Sequence, residues 1–596
     1  MLSSRCCDVG PEGEQPAEPI DAEPVDHLAP AALGFDETAV AEACEMGAHP
    51  GLQAADGLDD LANGALAVAE QRDDPQAGGV RKDAEEPGQS ERVGGRRSGG
   101  PRGYCTHEYG VPYTTTHPVS RIRKPDGGAS MGHEYDLVVL GSGSAAFAAA
   151  ITATDAGARV ALMEANTVGG TCVNVGCIPS KAMLAAADTF YRAGHDPFPG
   201  ISTAATAVDL SALVQAKDTL VDGLRKEKYL DLADAYGFTV CRGHAEFTGA
   251  RTLQCAGDRL TASAYVIATG ASPAVPPIAG LDGAGYLTST TALELEDLPE
   301  ELIVIGANAI GLEMGQLFLQ LGTRVTFVEV APRITPAEEP ETAETVQRVL
   351  EEAGAVFHTG ATVTRVTREG TRRTVSFRVN GTEATVAADH VLVATGRRPN
   401  TADLGLERAG IGLTEGGAVE VDGGLRTSNA RVFAAGDVTG HPQFVYVAAY
   451  EGSMAVRNAI MGHNETVDFR ALPRVIFTSP MFAAAGLTDE QAAAQGIECQ
   501  CRVLPLSAVP RALVNRDTRG FVKIVAEAAT GRIVGASTVA DGAGDVIQAA
   551  IYAIQFGLTT EQVANTWAPY LTFAEAFKLA AQTFTRDVSK LSCCAA

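Results

Sequence analysis

Twice in this 596-residue chain a run of aliphatic residues stops at a glycine and gives way to an apolar, helix-prone segment. The first is Tyr135-Asp136-Leu137-Val138-Val139-Leu140, followed by Gly141-Ser142-Gly143-Ser144-Ala145-Ala146. The second is Leu302-Ile303-Val304-Ile305, followed by Gly306-Ala307-Asn308-Ala309-Ile310-Gly311. An uninterrupted aliphatic strand is buried on both faces, which calls for helices above and below a parallel sheet. The first loop reads G-x-G-x-x-A, where the glycines let the backbone approach a pyrophosphate lying on the helix N-terminus. The next strand, Arg159–Met163, ends at Glu164, an acid placed to accept from a ribose hydroxyl. In the second copy Asn308 replaces the middle glycine, and strand Arg324–Val328 ends at Glu329. Two such folds imply two nucleotides, one handing electrons to the other. A carboxylate at Glu329 bonds a free 2′-hydroxyl and repels a 2′-phosphate, so it favours NADH, with NADPH as the alternative.

Between the two loops lies Gly169-Gly170-Thr171-Cys172-Val173-Asn174-Val175-Gly176-Cys177-Ile178-Pro179-Ser180-Lys181. A straight helix would separate Cys172 and Cys177 axially by about 7.5 Å, beyond the roughly 7 Å Cα limit for a disulfide. Bringing them together needs a distorted turn, which Gly176 permits and Pro179 encourages. The spacing points to a redox-active dithiol facing a flavin.

The net charge of −27, with no broad basic stripe to offset it, argues against a nucleic-acid partner. The most apolar stretch, Leu137–Thr154, carries two glycines and several hydroxyls and does not suit a membrane span. Twelve cysteines in so long a chain do not make a secreted disulfide lattice, and the N-terminus lacks the apolar core of a signal peptide, so a cytoplasmic location is expected. Residues 1–130 are rich in Pro, Gly, Ala and acids, with basic runs at Arg92–Arg102 and Arg121–Lys124. They offer too little large apolar surface to offset ordering entropy, and read as a mostly disordered extension with short helical pieces at Glu37–Glu45 and Leu58–Glu70. Met131, just before the first strand, is then a candidate true start.

These landmarks, with Ala268-Thr269-Gly270, Ala394-Thr395-Gly396-Arg397-Arg398-Pro399-Asn400 and Ala434-Ala435-Gly436-Asp437 closing later apolar strands, come in a definite order. Residues 131–596 resemble the flavoprotein disulfide reductases with two dinucleotide folds, the group containing lipoamide dehydrogenase and glutathione reductase. The resemblance implies an α/β chain with two Rossmann-type dinucleotide-binding domains and a C-terminal α+β dimerisation domain. Its divisions are expected at 131–285 (FAD, first part), 286–400 (NAD(P)), 401–470 (FAD, central part) and 471–596 (dimerisation). It implies a homodimer using FAD and a nicotinamide, with active sites at the subunit interface. FAD would be held by Gly141, Gly143, Ala145, Ala146, Glu164, Gly170, Thr171, Lys181, Thr269, Gly270, Asp437 (on the ribityl chain) and Val445. The nicotinamide cofactor would be held by Gly306, Asn308, Gly311, Glu329 and Gly396. Lys181 is implied to pair with Glu313 near the flavin. Cys177 is implied to contact the flavin, and Cys172 to be the exchange thiol.

Disulfide-reducing members carry His-x-x-x-x-Glu near the C-terminus, whereas this chain has Tyr570-Leu571-Thr572-Phe573-Ala574-Glu575. A phenol near pKa 10 is a poor proton shuttle at neutral pH, which disfavours exchange with a small disulfide. Tyr570, the run Pro442-Gln443-Phe444-Val445-Tyr446 and the vicinal Cys593-Cys594 are instead similar to the mercuric reductase branch, and Tyr229 matches that branch's other active-site tyrosine. That similarity implies thiol-bound Hg(II) as substrate, lifted by the partner subunit's tail cysteines and passed to Cys172 and Cys177, with Tyr229 and Tyr570 lining the transfer site. All four cysteines would then be metal ligands, as soft cations prefer thiolates. The Gly-Met-Thr-Cys-x-x-Cys metal-binding loop common in that branch is absent from residues 1–130. Two other readings stay open: a dihydrolipoamide dehydrogenase-like or low-molecular-weight disulfide reductase, and a metal-sequestering flavoprotein without turnover.

Overall fold

The computed structural model describes residues 133–587, apart from 196, together with 590. The expectations for residues 1–130 and for Cys593 and Cys594 therefore lie outside the described residues.

The first glycine loop does connect a buried strand to a helix. Strand β1 (His133–Leu140) leads into α1 (Ser144–Asp155), and β2 (Val160–Glu164) returns parallel to β1. Two helices then carry the cysteines, α2 (Gly170–Asn174) and α3 (Cys177–Gly194), followed by α4 (Leu210–Arg225) and a π-helical turn, Lys226–Leu230. Strands β3 (Thr239–Arg242), β4 (Ala245–Gly249), β5 (Thr252–Cys255) and β6 (Asp258–Ile267) complete a sheet of order β3-β2-β1-β6-β5-β4. Val139 on β1 lies opposite Leu162 on one side and Val266 on the other. All three are fully buried, as the unbroken aliphatic pattern requires.

A short pair of antiparallel strands leads to and from the second nucleotide unit. The chain leaves through β7 (Ala271–Pro273), and then forms β8 (Glu301–Ile305), α5 (Ala309–Gln320), β9 (Arg324–Val328) and α6 (Pro340–Glu352). Next come β10 (Val356–His358), the three-stranded antiparallel layer β11 (Ala361–Glu369), β12 (Arg372–Val379) and β13 (Thr382–Ala388), and β14 (His390–Val393). The parallel sheet β10-β9-β8-β14 repeats the strand–loop–helix arrangement of the first unit. The chain returns through β15 (Arg397–Pro399), paired with β7, and β16 (Val432–Ala434) rejoins the first sheet beside β6. Helix α7 (Val445–Ala459) then packs across α1.

The last unit is a five-stranded antiparallel sheet, β17 (Pro473–Ile476), β18 (Met481–Gly486), β19 (Cys499–Pro505), β20 (Phe521–Glu527) and β21 (Ile533–Ala540), in the order β17-β18-β21-β20-β19. Between β18 and β19 lies α8 (Asp489–Ala494); the Ala-rich helices α9 (Ala543–Gln555) and α10 (Phe573–Gln582) follow the sheet. These helices are 13 and 10 residues, and glycine and threonine punctuate the segment at Gly542, Gly557 and Thr572. Among the described residues no helix is long and apolar enough to cross a membrane.

Candidate active site

The cysteines sit on either side of a helix break. Cys172 is in the middle of α2 and Cys177 is the first residue of α3. Val175 (φ −142°, ψ 8°) and Gly176 (φ −124°, ψ −110°) leave helical geometry between them. The break cancels the axial separation of a straight helix and brings the two thiols within hydrogen-bonding reach. Both are free thiols here.

Their electrostatics are unequal. The Cys172 thiol donates to Cys177, and the Lys181 ammonium one turn along α3 adds to this, against the opposing effects of burial and of Glu313. The balance lowers Cys177 to about 7. Cys172 moves up, first because it holds the shared proton and then because it is desolvated. The pair gives up its first proton near neutral pH from Cys177 and keeps the second on Cys172.

Lys181 is tied in place from two directions. Its Nζ is 2.7 Å from Glu313 Oε2 on α5, a carboxylate whose side chain is 8% exposed. It also stands over the Phe477 ring, 4.7 Å from the centroid. The second oxygen of Glu313 accepts from the Phe477 backbone N–H at 2.9 Å. One ion pair thus joins the cysteine helix, the second nucleotide unit and the strand end of the last unit.

The flavin side can be tested on the backbone. Gly170 has φ +66°, and a Cβ there would lie 2.5 Å from the Gly143 Cα. The cysteine segment therefore rests directly on the first glycine loop, leaving no room for a side chain. At Gly141 (φ +112°) a Cβ would lie 2.3 Å from the Ala268 carbonyl oxygen. Gly143 caps α1 with no side-chain hydrogen bond and no acid in the first turn, so its leading N–H groups face outward as donors for a phosphate. A cavity of about 270 Å³ opens beside them, lined by Gly141, Glu164, Asn166, His244, Thr269 and Asn400 among others. Glu164 in its wall is oriented by the Ser142 hydroxyl (2.5 Å) and the Asn166 N–H (2.6 Å). Asp437, held above the usual carboxylate range chiefly by burial, has Arg397 at 3.8 Å and suits a partner that donates hydroxyls. These residues fit an FAD in the orientation that the sequence suggests.

The second loop is built differently. Asn308 caps α5 with its own side chain, accepting from Ala309 N–H at 2.9 Å. Glu329 is 8% exposed and accepts from Ala307 N–H (2.6 Å) and Ala331 N–H (2.7 Å), so it braces the loop as well as standing at the end of β9. Gly306 (φ +101°) begins the loop, Gly311 lies in the first turn of α5, and Gly396 receives the Ala274 N–H on its carbonyl at 2.9 Å.

Of the tyrosines, Tyr229 lies in the π-helical turn, edge-on to Phe147 with centroids 4.8 Å apart. Burial first, then the nearby cysteine pair, pushes its phenol up. Thr171 lies on α2 beside the Arg397 guanidinium, at 3.4 Å; Ala145, Ala146 and Val445 lie in the first turns of α1 and α7. Thr269 and Gly270 grip Asn400 through the Thr269 hydroxyl to its carbonyl (2.7 Å) and the Asn400 N–H to the Gly270 carbonyl (2.9 Å). Tyr570 is on the last unit, 51% exposed, in the turn before α10. The buried Glu575 accepts from Leu571 N–H at 3.1 Å, so the carboxylate of the His-x-x-x-x-Glu pattern is kept without the imidazole.

Three residues here went unassigned from sequence. Phe477 acts through a contact more than 130 residues away in the chain, and nothing local marks it, whereas Arg397 stands in the landmark Ala394–Asn400 without its role being marked. Tyr446, whose hydroxyl donates to the Pro473 carbonyl at 2.5 Å, is desolvated and feels the Cys177 charge. Only its place in the run Pro442–Tyr446 hinted at it.

Residues 135–452 match the pyridine nucleotide-disulphide oxidoreductase family, and residues 472–581 match that family's dimerisation domain. Among characterised relatives, a mercuric reductase of Streptomyces lividans is 52% identical over 467 residues, spanning 77% of this chain and 98% of the relative. A mercuric reductase of Staphylococcus aureus is 50% identical over 462 residues, 78% of this chain and 84% of the relative. Among solved structures, a Cu(II) complex of a HOCl-induced flavoprotein disulfide reductase from Escherichia coli aligns over 76% of this chain and 100% of its own, at 31% identity and a TM-score of 0.69. LpdA from Mycobacterium tuberculosis aligns over 76% and 99%, at 29% identity and a TM-score of 0.68.

Proposed function

The chain belongs to the pyridine nucleotide-disulphide oxidoreductases, and from that premise we propose that it reduces thiol-bound Hg(II) to Hg(0). FAD and NAD(P)H are its cofactors, and its dimerisation domain makes it a homodimer. The observation that carries the choice of substrate is Tyr570, standing where a disulfide-reducing member has its histidine, in a chain 52% identical to a mercuric reductase.

The residues divide the work as follows. Cys177, ionised near neutral pH, displaces one small thiolate from Hg(II) directly, and Cys172 displaces the second, its proton passing to a departing thiolate. Lys181, fixed by Glu313 and Phe477, favours the anionic state of the pair. When bound, FAD relays two electrons from NAD(P)H to this site. Reduction releases Hg(0) and leaves both thiolates in place. Tyr229, and Tyr570 of the partner subunit, line the transfer site. Cys593 and Cys594 lift the metal from small thiols and deliver it. Glu329 turns the second loop toward NADH. Open thiols of this kind suit a reducing compartment, which supports a cytoplasmic location.

The test is NADH and NADPH consumption with Hg(II) in excess monothiol, with volatile mercury trapped. We expect Hg(II)-dependent oxidation, faster with NADH, and Hg(0) matching the nicotinamide consumed. Unchanged consumption and no mercury vapour would sink the proposal. Turnover of dihydrolipoamide or a small disulfide instead would favour the reductase alternative, and stoichiometric metal uptake without oxidation the sequestering one. The double substitution Cys593→Ala, Cys594→Ala should spare flavin reduction yet slow turnover with thiol-bound Hg(II).

A further inference from the structure

Away from this site a second pair of cysteines faces one another. Cys499 and Cys501 flank Gln500 on β19, the edge strand of the five-stranded sheet, with their sulfurs 3.7 Å apart. Alternation along a strand puts residues i and i+2 on one face. The register confirms which face: Cys501 lies opposite Val525 and Val503 opposite Lys523, while Arg502 and Leu504 lie opposite Ile524 and Val522. Leu504, Ile524 and Val522 belong to the core under α9 and α10, and Arg502 stands over Phe584. The cysteines therefore point away from α10 and Phe584. Both are partly exposed.

The pair is held open. Extended residues two apart have Cα atoms about 6.7 Å apart, at the outer edge of disulfide reach. The unbroken pairing of 499–505 with 521–527 resists the pucker that a bridge would need. A tetrahedral ion with bonds of about 2.3 Å spans roughly 3.8 Å between two sulfurs, and a linear one about 4.6 Å. The first matches the pair as it stands; the second needs a small side-chain rotation, which an edge strand allows. Among the described residues no third His, Cys, Asp or Glu joins them to form a three-ligand group. A hard or octahedral ion is therefore poorly served, whereas a soft cation satisfied by two thiolates is well served.

We propose that Cys499 and Cys501 form a second, separate binding site for a soft two-coordinate cation such as Hg(II), outside the reduction site. Loading is ligand exchange: Hg(II) leaves two small thiolates for the two protein sulfurs, and each protein proton passes to a departing thiolate. Cys501 is pushed up to about 12, by burial first and then by Cys499, and Asp489 adds to this. The proposal stands on the geometry of this pair and not on the enzymatic reading above.

The experiment uses full-length flavoprotein without nicotinamide, so that nothing is reduced. Hg(II) is supplied as the complex of a small monothiol in excess, the protein is desalted, and metal per chain is counted. Wild type is compared with C499S and with C499S/C501S. Both variants should retain roughly one Hg(II) fewer per chain, since a single thiolate cannot compete with excess monothiol. Turnover with nicotinamide and thiol-bound Hg(II) should be unchanged, which also shows that the fold survives. Equal retention by wild type and C499S overturns the chelate, and that single variant decides the matter should the double one fail to hold flavin. A parallel fall in turnover places the pair on the reduction route and overturns the separate site.

Discussion

Cys172 and Cys177 lie beside a lysine, Lys181, whose ion pair is with one carboxylate, Glu313. Cys499 and Cys501 lie near another lysine, Lys523, bound at 2.9 Å by each of three carboxylates, Glu339, Glu341 and Asp489. The side chain of Lys181 is 32% exposed and that of Lys523 is 1% exposed. The thiols fare differently: Cys177, accepting from Cys172, falls to about 7 while Cys172 rises, and Cys501 rises to about 12 through burial first and then Cys499. At Cys177 the hydrogen bond from Cys172, helped by Lys181, outweighs burial, whereas at Cys501 burial and Cys499 outweigh the nearby Lys523 charge. The difference teaches that the acidity of a cysteine pair is set by its hydrogen bonding and burial first and by the charges around it second.

Three measurements bear on that contrast. The largest effect should come from removing the activated thiol: Cys177→Ser is expected to lower turnover with Hg(II) on the order of 10³-fold or more. Steady-state rates with thiol-bound Hg(II) in excess over enzyme decide this, and a loss below tenfold would remove Cys177 from the chemistry.

Next in size is stability. Lys523→Met leaves buried Glu339 and its neighbours without their cation, and should cost about 3–5 kcal/mol in guanidinium unfolding. Lys181→Met, at a more exposed pair, should cost no more than about 1 kcal/mol. Equal costs would erase the distinction between the two lysines.

The smallest effect is on titration. Lys181→Met removes a cation that favours the Cys177 thiolate, so its pKa should rise from about 7 by roughly one unit. The sign is checked by the pH dependence of iodoacetamide labelling of reduced enzyme, whose curve should move to higher pH. A curve that stays put would mean that the Lys181 charge is spent on Glu313.

Much of the scaffold was legible in the chain. Leu137–Leu140 and Leu302–Ile305 could only be buried strands, and the glycines after them could only be tight turns into helices. The break between Cys172 and Cys177 was legible too, because helix geometry forbids their meeting otherwise. The pairing of Lys181 with Glu313, 132 residues apart, came only by way of the family resemblance. Phe477 and the Lys523 cluster had no local signal, since each depends on which distant segments come to lie together. Cys499 and Cys501 carried a signal that goes unread without the strand: spacing of two matters only where side chains alternate.

What the sequence determined by itself was everything governed by neighbours along the chain: strand, turn and helix around each nucleotide loop, the acids at Glu164 and Glu329, and the kinked cysteine segment. What only the tertiary structure decided was charge state. Hydrophobic periodicity is a local property, whereas a thiol's pKa sums over every charge within several ångströms and over how far water is excluded. Those quantities exist only once α3 meets α5, and once β20 meets α6 and α8.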